Sequence, residues 1–125
     1  PRDTLIAKIR NLQDEYQPED APRLEVAFRS RASTLPVVLT ASQSPTVKIC
    51  EKAWYAVEND ATRERVIPFG TGSQQHTRLS YDGNGNYFRL FMNNFHAGNV
   101  YRVVLLVDEN GRREVIDPGI RFKVV

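Results

Sequence analysis

The run Asp82-Gly83-Asn84-Gly85-Asn86 opens like a calcium loop, with oxygen-bearing side chains at alternate positions. Such a loop needs glycine at its sixth position and a bidentate glutamate at its twelfth. Here those positions hold Tyr87 and Asn93, so the run reads as a tight inter-strand turn and no metal site is expected. His76 and His96 could serve as ligands or as an acid/base pair, but no further Cys or His stands at ligand spacing, so both read as exposed loop residues. Cys50 has no pattern of base and oxyanion donor around it and reads as a small buried hydrophobe. Neither a Gly-x-Ser-x-Gly elbow nor a phosphate-cradling glycine loop occurs. The expectation is a chain with no catalytic residues and no cofactor. Trp54 and Tyr81 could stack on sugars or bases. Trp54 lies within a strand and reads as packing, as the core Trp of Ig-like sandwiches does, while Tyr81 in a turn stays open as a surface contact.

These residues must be placed by a small scaffold. The 125 residues suit one domain over 1–125, and 41% apolar content with charges of both signs argues against disorder. A net charge of +2, with Arg and Lys scattered among Asp and Glu, shows no basic stripe, so nucleic acid is not an expected partner. Cys50 is the single cysteine, which rules out an intrachain disulfide and suits folding in a reducing cytoplasm. No apolar run is long enough to span a bilayer, no signal segment opens the sequence and no glycosylation acceptor occurs. A soluble protein without a membrane partner is expected.

Turn signals recur about every dozen residues between short runs rich in β-branched and aromatic side chains, the rhythm of an all-β sandwich. Leu24, Val26 and Phe28 alternate with charged or small residues over Pro22–Arg29. Further strands are expected over Val47–Val57, Glu64–Ile67 and Tyr87–Met92. Tyr101–Val107 is almost continuously apolar, as in a central strand covered on both faces. Asn110-Gly111 supplies the positive φ angles of a hairpin. The returning strand breaks at Asp117-Pro118-Gly119, where proline forbids a ladder bond and predicts a bulge or an edge. Ile120–Val125 closes the sheet. Leu5, Ile9, Leu12 and Tyr16 have helical spacing, with Asp3 or Thr4 as N-cap, while Leu5, Ala7 and Ile9 also alternate. The strand is the favoured reading because the rest of the chain is β.

Phe95 through Gly98 to Tyr101 has the spacing of a tyrosine corner, in which a Tyr early in a late strand bonds its hydroxyl back to the preceding turn. The structural residues are therefore Tyr101, Gly98 and Trp54, and the fold class is an Ig-like or fibronectin-type antiparallel β-sandwich of about seven to nine strands. Two segments are expected to make contacts. One is the polar loop Gly70, Thr71, Gly72, Ser73, Gln74 and Gln75, and the other is the last strand with Ile120, Phe122 and Val124, read as an open edge.

Several stretches also resemble Ig-like domains in virion structural proteins of large contractile-tailed, T4-like bacteriophages. They are Trp54-Tyr55-Ala56-Val57-Glu58-Asn59-Asp60-Ala61-Thr62, Val66-Ile67-Pro68-Phe69, Leu79 through Phe88, Tyr101–Val107 and Ile120–Val125. Asn11-Leu12, Tyr16-Gln17-Pro18 and Arg23-Leu24-Glu25-Val26 resemble the opening of that pattern, and residues 30 to 48 carry little of it. The resemblance implies a non-enzymatic protein folded in the host bacterial cytoplasm and built into a capsid, neck, tail or baseplate, with other virion structural proteins as partners. It transfers no catalytic residues. The alternative is a carbohydrate- or host-surface-binding module of a larger adhesin or secreted protein, which flat exposed aromatics on one sheet face would favour.

Overall fold

The computed structural model describes residues 5–30, 49–70, 76–109 and 111–125. In chain order the strands are β1 (Leu5–Ile9), β2 (Glu15–Tyr16), β3 (Arg23–Ser30), β4 (Ala53–Asn59), β5 (Arg65–Ile67), β6 (Ser80–Asp82), β7 (Gly85–Arg89), β8 (Val100–Glu109), β9 (Arg112–Ile116) and β10 (Arg121–Val124). A 3₁₀ turn, Met92–Asn94, follows β7. Two sheets face each other as a sandwich: sheet A in the order β1-β3-β7-β6, and sheet B in the order β2-β10-β8-β4-β5 with β9 also on β8. The described residues hold ten strands instead of seven to nine, because two-residue β2 and three-residue β6 form strands where only turns were expected.

Strand alternation builds the core. Leu5, Ala7 and Ile9 of β1, Leu24, Val26 and Phe28 of β3 and Phe88 of β7 turn inward from sheet A. Val57, Tyr101, Val103, Leu105, Val107, Phe122 and Val124 meet them from sheet B. Tyr55 stacks on Phe88 across the layers, with ring centroids 4.3 Å apart, and burial raises its phenol pKa. The N-terminal segment is thus a strand: its alternating residues reach the core while Lys8 faces water.

In β8 both faces are buried from Tyr101 to Val107. One edge of β8 carries β4 along seven paired residues. The other edge is shared end to end by β10, opposite Val100–Arg102, and β9, opposite Leu105–Glu109. The break between them falls at Asp117 to Ile120. There the Asp117 carboxylate accepts the Gly119 N–H at 2.9 Å and Gly119 takes a φ of 72°.

Three expectations need correction. The strand expected from Val47 begins only at Ala53. Val47 lies outside the described residues, and the backbone of Cys50 bonds a side chain in place of a neighbouring strand. The amide of Asn86 donates to Cys50 C=O at 2.7 Å and accepts Cys50 N–H at 3.0 Å. The strand expected to reach Met92 ends at Arg89, after which the Leu90 and Met92 N–H groups turn to the carbonyls of Pro22 and Asp20. The third concerns β10, which is not an open edge. Parallel β2 covers it, with Lys123 N–H on Asp14 C=O at 2.8 Å and Val125 N–H on Tyr16 C=O at 2.9 Å. Phe122 and Val124 point into the core and offer no docking surface, while Ile120 packs against the core half-buried. The alternation of Ile120, Phe122 and Val124 marks the buried face of a paired strand.

Candidate interaction surface

The outward faces of the two sheets differ. On sheet A, alternation sends Lys8 of β1 and Arg10 just beyond it, Arg23, Glu25 and Arg29 of β3, and Arg89 of β7 into solvent. Asp82 of β6 completes the set. The described residues of this face hold five cations and two anions, an excess of three, against +2 for the whole chain. Charges scattered along the chain are gathered here by antiparallel pairing.

The register makes Arg23 and Arg89 direct cross-strand partners, a like-charge placement that opposes strand pairing. Each is drawn elsewhere. The Arg23 guanidinium lies 3.7 Å over the Tyr87 ring and 3.4 Å from an Asp82 carboxylate oxygen, while Arg89 donates to Ala21 C=O at 2.6 Å. Asn11 braces the border of the face, donating to Arg23 C=O at 2.7 Å and accepting Glu25 N–H at 2.9 Å. At its centre Arg10, Arg23, Glu25, Asp82 and Tyr87 line a depression of about 30 Å³. That is room for about one water molecule and not for a sugar ring.

The outer face of sheet B is closed over β4 and the middle of β8 and open at its flanks, where Val115, opposite Leu106, and Val100 are exposed. Trp54, Ala56, Val104 and Leu106 are buried there although they lie outside the cluster between the sheets. Trp54 therefore packs on the far side of β4 from the interlayer core, opposite Leu106, and its indole N–H is buried without a hydrogen-bond partner. Beside them Arg102, 5% exposed, donates to Asp117 at 3.0 Å and lies 3.3 Å from Asp60, which also accepts from Arg121 at 2.9 Å. Burial pushes the Asp117 carboxyl up. The Gly119 N–H, the Arg102 hydrogen bond and the charges of Arg102 and Arg121 outweigh it and hold the group below its ordinary range.

The remaining expected residues are spread over the molecule. Tyr101 is buried, and its hydroxyl accepts the His96 N–H at 2.9 Å and donates to His96 C=O at 3.5 Å. Gly98, at φ 92°, donates its N–H to Val124 C=O at 2.6 Å, tying this corner to β10. Gly70 is a buried anchor and not a contact residue. Its N–H donates to the Thr77 hydroxyl at 2.6 Å, and a Cβ there would stand 2.7 Å from the His76 ring. Thr71, Gly72, Ser73, Gln74 and Gln75 lie outside the described residues. His76 and His96 sit on separate loops, and no group of three or more His, Cys, Asp or Glu is arranged for a metal ion among the described residues. In the Asp82 turn, one carboxylate oxygen caps the Asn84 N–H at 2.8 Å and the Asn86 amide, 1% exposed, is turned inward to Cys50. No helix of the described residues is long and apolar enough to cross a membrane.

Comparison with protein-family models, with curated proteins and with solved structures finds no match to this chain. The function must therefore be argued from the surface itself. The sequence reading missed the basic face, although its signal is present. Each of the three strands puts at least one Arg or Lys at an outward position, but these lie as much as 81 positions apart, from Lys8 to Arg89.

Proposed function

We propose that this domain is a non-enzymatic structural module that acts through protein–protein contacts in a repeated assembly. The observation that carries the reading is the exposed, unevenly charged face of sheet A, built from β1, β3 and β7 of the sandwich. Three exposed strands that hold unmatched cations and keep Arg23 opposite Arg89 depart from what an isolated sheet prefers, and such departures concentrate where a surface has a second role. The sugar-binding alternative calls for flat, accessible aromatic rings. Here Trp54 is buried, Tyr87 lies beneath the Arg23 guanidinium, and the exposed rings are separated, Tyr81 (46% exposed) on β6 opposite Asn86 and Phe91 (51% exposed) beyond the far end of β7. A tailed-phage virion as the assembly is supported by the resemblance of the Trp54–Thr62, Leu79–Phe88 and Tyr101–Val107 stretches.

The test is to express the tagged chain in phage-infected bacteria, recover particles, and determine the structure of any complex that holds it. The expected result is a stoichiometric place in the particle, with about 800 Å² of this domain covered by a neighbour. A domain that stays free of particles and instead takes a saccharide in a concave site would refute the reading.

A further inference from the structure

Resting on that reading, we infer that the outer face of sheet A docks an acidic protein surface, with Arg10, Arg23 and Arg89 around Tyr87 as the centre of the contact. The chemistry of the face selects the partner. Four of its five cations are arginines, whose planar donor forks match carboxylates. Arg23 already lies over Tyr87 at 3.7 Å and reaches Asp82 at 3.4 Å, so little side-chain freedom is lost when a carboxylate binds it.

The two anions decide between a protein and a nucleic acid. Glu25 projects from the middle of β3, across from Tyr87, and Asp82 stands beside Arg23. A single strand of nucleic acid carries a phosphate at every nucleotide and would be driven against both. A protein surface can set carboxylates opposite Arg10, Arg23, Arg29 and Arg89 and a cation or neutral group opposite Glu25. Mixed charge of this kind also fixes the register of docking and repels wrong partners.

The experiment titrates the intact chain, at low salt, with a Glu-rich peptide carrying one central Lys and separately with oligothymidylate of equal charge. Backbone amide NMR shifts locate the binding, and unfolding midpoints check each variant. The expected result is that the peptide perturbs amides of 8–10, 23–25 and 87–89, and that added salt weakens it. The Arg10→Glu/Arg23→Glu pair should weaken the peptide about tenfold or more, whereas Arg112→Glu/Lys123→Glu on sheet B, with the same change in charge, should alter it less than about threefold. Should the Glu pair fail to fold, Arg10→Gln/Arg23→Gln gives the same reading with a smaller loss. Tighter binding of oligothymidylate at these amides overturns the inference in favour of nucleic acid. Peptide shifts elsewhere, or none, also overturn it. A particle structure in which the domain is covered on another face would leave the assembly reading standing and this inference refuted.

Discussion

Sheet A and sheet B of this sandwich each present a face away from the core, and the two faces handle charge in opposite ways. On sheet B the buried cation is answered from within: Arg102 is held by Asp60 and Asp117, and Asp60 also takes Arg121. Its central apolar side chains, Trp54, Val104 and Leu106, are buried, while Val115 beside Leu106 is exposed. On sheet A the cations outnumber the anions and stand in solvent. Both sheets place two arginines directly across from one another, but Arg102 and Arg121 of sheet B share Asp60, whereas Arg23 and Arg89 of sheet A share no carboxylate. Charge matched inside the chain is architecture, and removing it costs stability. Charge left unmatched at the surface is available to a partner, and removing it costs binding. Substitutions on the two faces should therefore separate into two phenotypes.

The largest contrast is expected at the aromatic residues. Trp54→Ala should destabilise the domain by about 3–5 kcal/mol in denaturant unfolding, because it empties a buried site, while Tyr81→Ala should stay within about 0.5 kcal/mol. If Trp54→Ala were as mild as Tyr81→Ala, the indole would not be packed on the outer side of β4. Next comes the buried guanidinium. Arg102→Ala should cost about 2 kcal/mol, less than a fully buried pair, since water reaches Asp60 and Asp117 and Arg121 still serves Asp60. Arg23→Ala should shift the unfolding midpoint hardly at all. Equal losses at these two arginines would erase the distinction between the faces.

A smaller effect is expected at the Tyr101 corner, which serves the core behind both faces. Tyr101→Phe removes the acceptor of the His96 N–H and should cost on the order of 1 kcal/mol, with no change in peptide binding to sheet A. The smallest is a pH effect. Because the Asp117 carboxyl is held below its ordinary range in the folded state, its contribution is present above the unfolded value and is lost as pH falls through the folded one. Stability measured on acidification should thus decline less steeply in Asp117→Asn than in the parent chain, and an identical slope would show that Arg102 and Arg121 give that carboxylate no net stabilisation.

The alternation of Leu24, Val26 and Phe28, the all-apolar run from Tyr101 to Val107, the break at Asp117-Pro118-Gly119 and the spacing from Gly98 to Tyr101 could all be read from the residues alone. These are local properties: a period of two, a missing N–H, a positive φ and a short backbone reach belong to the chain wherever it lies. Pairing decided the rest. That β2 would close the outer edge of β10, that Asn86 would serve Cys50 across 36 positions, and that Trp54 would pack on the far side of β4 depend on which strand lies beside which. The face of sheet A is the clearest case. Lys8, Arg10, Arg23, Arg29 and Arg89 look unremarkable in sequence, and only the register of β1 on β3 and of β3 on β7 sets them side by side, because strand pairing brings residues far apart in the chain to within about 5 Å.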